Sequence, residues 1–306
     1  MFSAILTSRI KDNGDSNLPL LLQTIQERSS DFTNFEVLIK FDNDDYQAAA
    51  LAKGFSRYPF RINHIFDHRG RGANDMHIGY TSLLSITNDK SEFFVTLSDD
   101  FAVQHEWDKT LLASLSTMGQ DGTPFEKWEM ERLDGMNDPF IIQYLPHPGG
   151  TMQNKYNLNW DAKNIENITG LEIAPAFSRK LIELCGGFGH VSFTDAWIIL
   201  LQHELCNSHN LNITRFTNKE YAKRLAQGVG MTVLEQANRD GQRKLNFKQI
   251  NSNWYERLLI AQGQVVADYY LKYRKSDLET KWKNKELSIS RTIEAPRHGE
   301  IITNSK

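Results

Sequence analysis

Short apolar runs alternate with longer amphipathic stretches along the first half of the chain. Phe2–Thr7, Phe35–Phe41, Arg61–Phe66 and Glu92–Leu97 have the length and the Val, Ile and Phe content of strands. Between them, Asn17–Arg28, Asp45–Arg57 and Asn74–Ile86 carry apolar positions at helical spacing, and Glu106–Ser116 follows the fourth run in the same way. Asn17 stands where an N-cap is expected, Pro19 falls in the first turn, and Pro59 stops the second helix. A β-α-β-α rhythm predicts an α/β fold with a mostly parallel sheet covered on both faces, because parallel strands need crossover connections.

The rhythm breaks between Met118 and Asp161, where Gly, Pro, Asn and Trp accumulate, as in Leu145-Pro146-His147-Pro148-Gly149-Gly150. Phe140–Tyr144 is a strand candidate there, and the rest reads as long substrate-facing loops. Regular structure is expected again at Ile173–Ala176 and in a helix over Ser178–Leu184 that Gly186-Gly187 ends. A helix over Asp195–Leu205 and a last strand at Asn212–Phe216 follow. Beyond that the pattern is helical, with Lys219–Leu225, Trp254–Lys275 and Asp277–Lys285 as candidates and a loose polar end. The division this suggests is a catalytic or binding domain over 1–216 and a helical C-terminal region over 217–306.

Composition adds exclusions. The chain has 306 residues, 40% hydrophobic and 24% charged, which is globular rather than disordered. A formal net charge of -3 gives no global basic field, so no nucleic-acid partner is expected. No apolar run reaches the roughly 18 residues of a membrane span. Met1-Phe2-Ser3-Ala4-Ile5-Leu6 lacks the basic start and small-residue cleavage site of a secretory signal, so a cytoplasmic location is expected. The two cysteines, Cys185 and Cys206, build neither a disulfide framework nor a thiolate zinc site and read as buried thiols.

In open α/β sheets ligands bind outside the carboxyl ends of the strands. Those ends read Thr7-Ser8-Arg9, Asp42-Asn43-Asp44-Asp45, Asp67-His68-Arg69-Gly70-Arg71-Gly72 and Ser98-Asp99-Asp100. Acids beside arginines along one edge suit a divalent cation holding a diphosphate. Neither G-x-x-x-x-G-K-[ST] nor a G-x-G-x-x-G after the first strand occurs, which argues against a P-loop NTPase or a dinucleotide-dependent dehydrogenase.

Five pieces in order, Phe2–Arg9, Phe35–Asp45, Arg71–Gly79, Phe93–Asp100 and Gly186–Trp197, resemble a GT-A-fold glycosyltransferase close to the inverting family 2, over roughly residues 2–215. The resemblance implies a Rossmann-like, mixed and mostly parallel sheet flanked by helices, with a C-terminal helical extension. It implies that Thr7, Ser8, Arg9 and Asp42 hold the nucleotide base and ribose. Arg71 and Asn74, with Arg69 as a near alternative to Arg71, would lie by the diphosphate. Asp99 would contact the ribose or the metal shell, and Asp100 would ligate Mn²⁺ or Mg²⁺ in a D-x-D-like motif whose first acid is replaced by Ser98. Asp195 falls where the catalytic base stands, with Thr194 replacing the usual acid before it. Each residue also has a plainer reading. Asp42 suits a turn, Arg71 and Arg69 a solvated loop, and Asp99, Asp100, Thr194 and Asp195 a turn or helix cap.

The implied function is metal-dependent, inverting transfer of a sugar from a nucleoside diphosphate sugar to a glycan or lipid-linked acceptor. A nucleotidyltransferase and a non-catalytic nucleotide-sugar-binding protein are the alternatives. His203, His209 and His298 are candidates for a further metal ligand, and Trp107, Trp128 and Trp160 for sugar platforms or packing. Tyr269, Tyr270, Tyr273 and Trp282 lie among Lys272, Arg274, Lys275, Lys281, Lys283 and Lys285. Such a basic, aromatic region suits peripheral contact with an anionic membrane, packing on the catalytic domain, or contact with a second subunit in a homo-oligomer.

Overall fold

Phe2–Thr7 forms strand β1, and every residue before Thr7 in it is buried. In the computed structural model, which describes residues 1–10, 16–69, 76–115, 132–144, 174–189, 194–209, 211, 213–217, 221–224 and 252–274, this strand lies at the centre of a parallel sheet. On one side it pairs in parallel with β2 (Phe35–Asp42), which pairs with β3 (Arg61–Asp67). On the other it pairs in parallel with β4 (Phe93–Thr96). The register sets Phe35, Phe2 and Phe93 side by side, with ring centroids 5.8 and 5.0 Å apart.

Beyond β4 the sheet becomes mixed. β6 (Ile141–Tyr144), β7 (Ala176–Ser178) and β8 (Thr214–Thr217) complete the order β3-β2-β1-β4-β7-β6-β8, with β7 antiparallel to both neighbours. β5 (Phe101–Val103) stands apart and pairs antiparallel with β9 (Ala222–Arg224).

Strand alternation divides the core between the two faces. Phe2, Ala4 and Leu6 face α1 (Leu18–Arg28), α2 (Tyr46–Ala52) and α4 (Trp107–Ser114), where Trp107 packs its ring edge against Phe2 at 5.3 Å. Ile5, Leu38 and Phe94 face α3 (Met76–Leu83), α5 (Arg179–Cys185), α6 (Thr194–His209) and α7 (Asn253–Tyr269). Gln262 ties the last helix down: it accepts from Trp197 Nε1 at 3.0 Å and donates to the Cys185 carbonyl at 2.8 Å. No helix among the described residues is long and apolar enough to cross a membrane.

Most of the expected strands and helices occur with small shifts at their ends; the helix expected over Asp45–Arg57 stops at Ala52, the strand near Ile173–Ala176 is Ala176–Ser178, and two further expectations are corrected. The helix expected over Lys219–Leu225 is not found at its described residues: Ala222–Arg224 is the strand β9, and Tyr221 before it is buried in the core. Helix propensity yields there to pairing with a distant partner, Phe101–Val103. Asn17 occupies the N-cap position of α1 but makes no capping hydrogen bond, and the Leu18 amide donates to Ser16 Oγ at 3.2 Å instead. Asp277–Lys285 lies outside the described residues.

Candidate functional site

The chain runs outward from β1 to β2 and β3, then returns to the other side of β1 as β4. That reversal marks, beyond the carboxyl ends of β1 and β4, the crevice position at which open α/β sheets bind ligands. The Leu97 amide donates to the Ile5 carbonyl at 2.9 Å, which holds the two strand ends together. The Phe101 amide donates to the Ser98 carbonyl at 3.0 Å and closes a tight turn with Asp99 and Asp100 as its central residues. Both acids are half-buried. Ser8, buried just past β1, donates from Oγ to Asp99 Oδ2 at 2.9 Å and so spans the crevice.

A second polar group lies along the same edge at the ends of β2 and β3. Asp42 Oδ1 takes the Lys40 ammonium at 2.6 Å, and Asp42 Oδ2 faces Arg9 Nη1 at 3.7 Å. Lys40 Nζ also donates to the His68 carbonyl at 2.7 Å, which joins the exit of β3 to the end of β2. Asp67, paired in register with Asp42, accepts from Ser82 Oγ at 2.6 Å and from the His68 amide at 2.7 Å. These bonds, the Ser82 hydroxyl first, hold its carboxyl below the ordinary aspartate range.

Asp45 organises the loop after β1. It caps α2 by accepting from the Ala48 amide at 2.9 Å, and its other oxygen accepts from the Ile10 amide at 2.8 Å. One buried carboxylate thus fixes both the start of α2 and the segment carrying Ser8 and Arg9. Asp45→Ala should destabilise the protein by about 2 kcal/mol, from a lost cap and an unmet buried amide. Urea unfolding measures this, and a change below a few tenths of a kcal/mol would rule out the bracing role.

Helix α3 connects the β1 end to the segment that precedes α6. A Cβ on Gly79 would come within 2.5 Å of Thr7 Cγ2, so glycine allows the helix to sit against the strand end. Two residues on, Thr81 Oγ1 accepts from the Phe188 amide at 3.4 Å. Gly186 ends α5 in the left-handed region at φ 74°, a position that favours glycine. Thr194 and Asp195 begin α6, but their side chains lie outside the described residues. Arg71 and Asn74 also lie outside them, in the segment that enters α3.

The structure therefore brings together Thr7, Ser8, Arg9, Asp42, Asp99 and Asp100 along the carboxyl edge of β1, β2 and β4. Sequence reading missed Lys40. Its signal was a lysine inside an apolar strand, two residues before an acid and so on the same face. Arg69, the near alternative to Arg71, pairs with Asp44 at 2.9 Å. Trp107 is a core residue whose Nε1 donates to Ser29 Oγ at 2.8 Å, whereas Trp128 and Trp160 lie outside the described residues. Among the other metal candidates, His209 stands 3.8 Å from Glu204, and the His203 side chain and His298 are not described.

Cys185 is buried and free, and burial pushes its thiol up to about 12. At pH 8 it is neutral in the fold, so iodoacetamide should label it only after denaturation. Peptide mapping by mass spectrometry checks this, and rapid native labelling at Cys185 would contradict its burial.

No protein-family model and no curated protein sequence matches the chain. Among solved structures it resembles the mannosyltransferase PcManGT from Pyrobaculum calidifontis, solved with GDP-Man and Mn²⁺. That likeness has a TM-score of 0.50 at 13% identity over 92% of this chain and 75% of that one. TarS from S. aureus, solved with UDP-GlcNAc, gives a TM-score of 0.46 at 14% identity over 93% of this chain and 77% of that one. A 4-diphosphocytidyl-2C-methyl-D-erythritol synthase from Anaerococcus prevotii gives 0.39 at 13% identity over 80% and 96%. The chain has the GT-A fold, as its mixed, mostly parallel sheet, flanking helices and C-terminal helix had implied.

Proposed function

We propose that the chain is a glycosyltransferase that moves a sugar from a nucleoside diphosphate donor to an acceptor hydroxyl. The observation that carries this is the Ser8–Asp99 hydrogen bond across the β1/β4 crevice of a GT-A fold. It ties the turn carrying Asp99 and Asp100 to the end of β1, and the neighbouring strand β2 ends in Asp42 with its partners Lys40 and Arg9. Thr7, Ser8, Arg9 and Asp42 hold the base and ribose, Asp99 reaches the ribose, and Arg71 and Asn74 approach the diphosphate. Asp195 takes the proton from the acceptor hydroxyl as that oxygen attacks the anomeric carbon, and a single displacement inverts that centre.

The turn fits a hard divalent cation, Mn²⁺ or Mg²⁺, in part. Asp99 and Asp100 supply only oxygen ligands, and Asp100 Oδ1 is shielded from solvent. Among the described residues no group of three His, Cys, Asp or Glu side chains forms a complete cage. A cation there would be bound through one or two carboxylates, with diphosphate oxygens filling other positions, as magnesium commonly is. Asp100 is the ligand we assign, with Asp99 in the surrounding shell. Such a cation, when bound, neutralises charge on the departing diphosphate.

Thermal unfolding with UDP or GDP, each with and without Mn²⁺, tests the reading. Metal-dependent stabilisation by a nucleoside diphosphate is the expected result. Stabilisation only by nucleoside triphosphates, with pyrophosphate release, would favour a nucleotidyltransferase. Metal-independent binding without donor turnover would favour a non-catalytic binding protein.

A further inference from the structure

Strand β3 ends the seven-stranded sheet on one side, and among the described residues no strand pairs with its outer edge. It pairs with β2 over its whole length, from Arg61 beside Glu36 to Asp67 beside Asp42, without a bulge. The Asp67 carbonyl accepts from the Asn43 amide at 2.8 Å on the β2 side. Backbone direction alternates along a strand, so the amides and carbonyls of Ile62, His64 and Phe66 point away from the sheet. Proteins blunt such edges with proline, lysine or a bulge, because an open edge is a template for another strand. Arg61-Ile62-Asn63-His64-Ile65-Phe66-Asp67 contains none of these. His64 is exposed, Phe66 is 41% exposed, and Arg61 keeps half its side chain in solvent.

We propose that β3 pairs antiparallel with β3 of a second copy of this chain, about a two-fold axis through His64, and so joins two sheets into one. This goes beyond the transferase reading and does not depend on it. An axis at His64 is the one symmetric register that pairs every residue of the strand. It sets Ile62 against Phe66 and His64 against its own copy, so outward amides meet outward carbonyls. Ile62 and Phe66 make a β-branched–aromatic cross-strand pair on one face. On the other face Arg61 meets Asp67 at both ends of the contact, opposite charges directly across from each other. Moving the axis to Asn63 or Ile65 separates Arg61 from Asp67. A strand whose two ends carry opposite signs is complementary to itself in reverse, as a two-fold contact requires, and this selects a second copy over an unrelated strand. Because the paired strands run in opposite directions, the two candidate sites lie toward opposite ends of the joined sheet.

Sedimentation equilibrium of the full chain across the micromolar range tests the proposal. A species of twice the chain mass is expected, and a monomer at every concentration overturns it. His64→Lys and His64→Glu should each weaken association about fivefold or more, because each sets like charges against one another at the axis. Mixed in equal amounts, the two variants should regain most of the lost association, since lysine then faces glutamate. Association of either variant as tight as that of the parent, or no gain on mixing two folded variants, overturns pairing centred on His64. Deuterium exchange of the parent needs no variant. Peptides covering residues 61–67 should exchange more slowly where the dimer is populated than after dilution to monomer. Exchange there that does not change with concentration overturns pairing through this edge.

Discussion

Asp195→Asn should lower sugar transfer by on the order of 10²–10⁴-fold, the usual contribution of a positioned general base. The substitution keeps the side chain's size and removes its ability to take a proton at neutral pH. Asp195 is the second residue of α6. The donor is held by other residues in this account, so nucleotide affinity should stay within about twofold, below the roughly 0.6 kcal/mol that RT represents. Kinetics with saturating donor and acceptor, paired with calorimetry of the diphosphate, separate the two effects. A helix-capping role predicts something else: asparagine caps about as well as aspartate, so stability and turnover both stay near those of the parent. Normal turnover in the folded variant would remove Asp195 from the mechanism.

Asp100→Ala has the second large effect. Charged ligand contacts are worth about 1.5–3 kcal/mol, so affinity for a nucleoside diphosphate in Mn²⁺ should fall by roughly 10–100-fold. In chelator the variant and the parent should bind equally, because Asp100 acts only through the cation. The fold should tolerate the change, since the turn is closed by the backbone bond from Phe101 to Ser98 and not by the Asp100 side chain alone. Binding curves with and without metal make the comparison. Equal Mn²⁺-dependent affinity in parent and variant would place the cation elsewhere.

The sheet was legible because its central strands are long, apolar and separated by amphipathic helices. β1 and β2 are buried along almost their full length, so nothing competes with their pattern. β5 and β9 were not legible. Each has three residues, and each exists only because the other, more than a hundred residues away, pairs with it. Lys, Ala and Leu around residue 222 favour a helix locally, and the burial of Tyr221 and Ala222 decides against it. The acids at the ends of β2 and β4 could be read from position alone. What each touches could not: Ser8 reaches Asp99 across a separation of 91 residues. Lys40 was hidden for a related reason, since a lysine in an apolar strand has meaning only once the end of β3 lies beside it.

The β1/β4 crevice, with Asp99 and Asp100 at its edge, is proposed to bind and cleave a nucleoside diphosphate sugar. The most direct measurement is release of nucleoside diphosphate, followed by chromatography, from a panel of nucleotide sugars in Mn²⁺ and in chelator. Release from at least one donor is expected in Mn²⁺, with its loss in chelator and in Asp100→Ala. No release from any donor, or equal release in chelator, would contradict it.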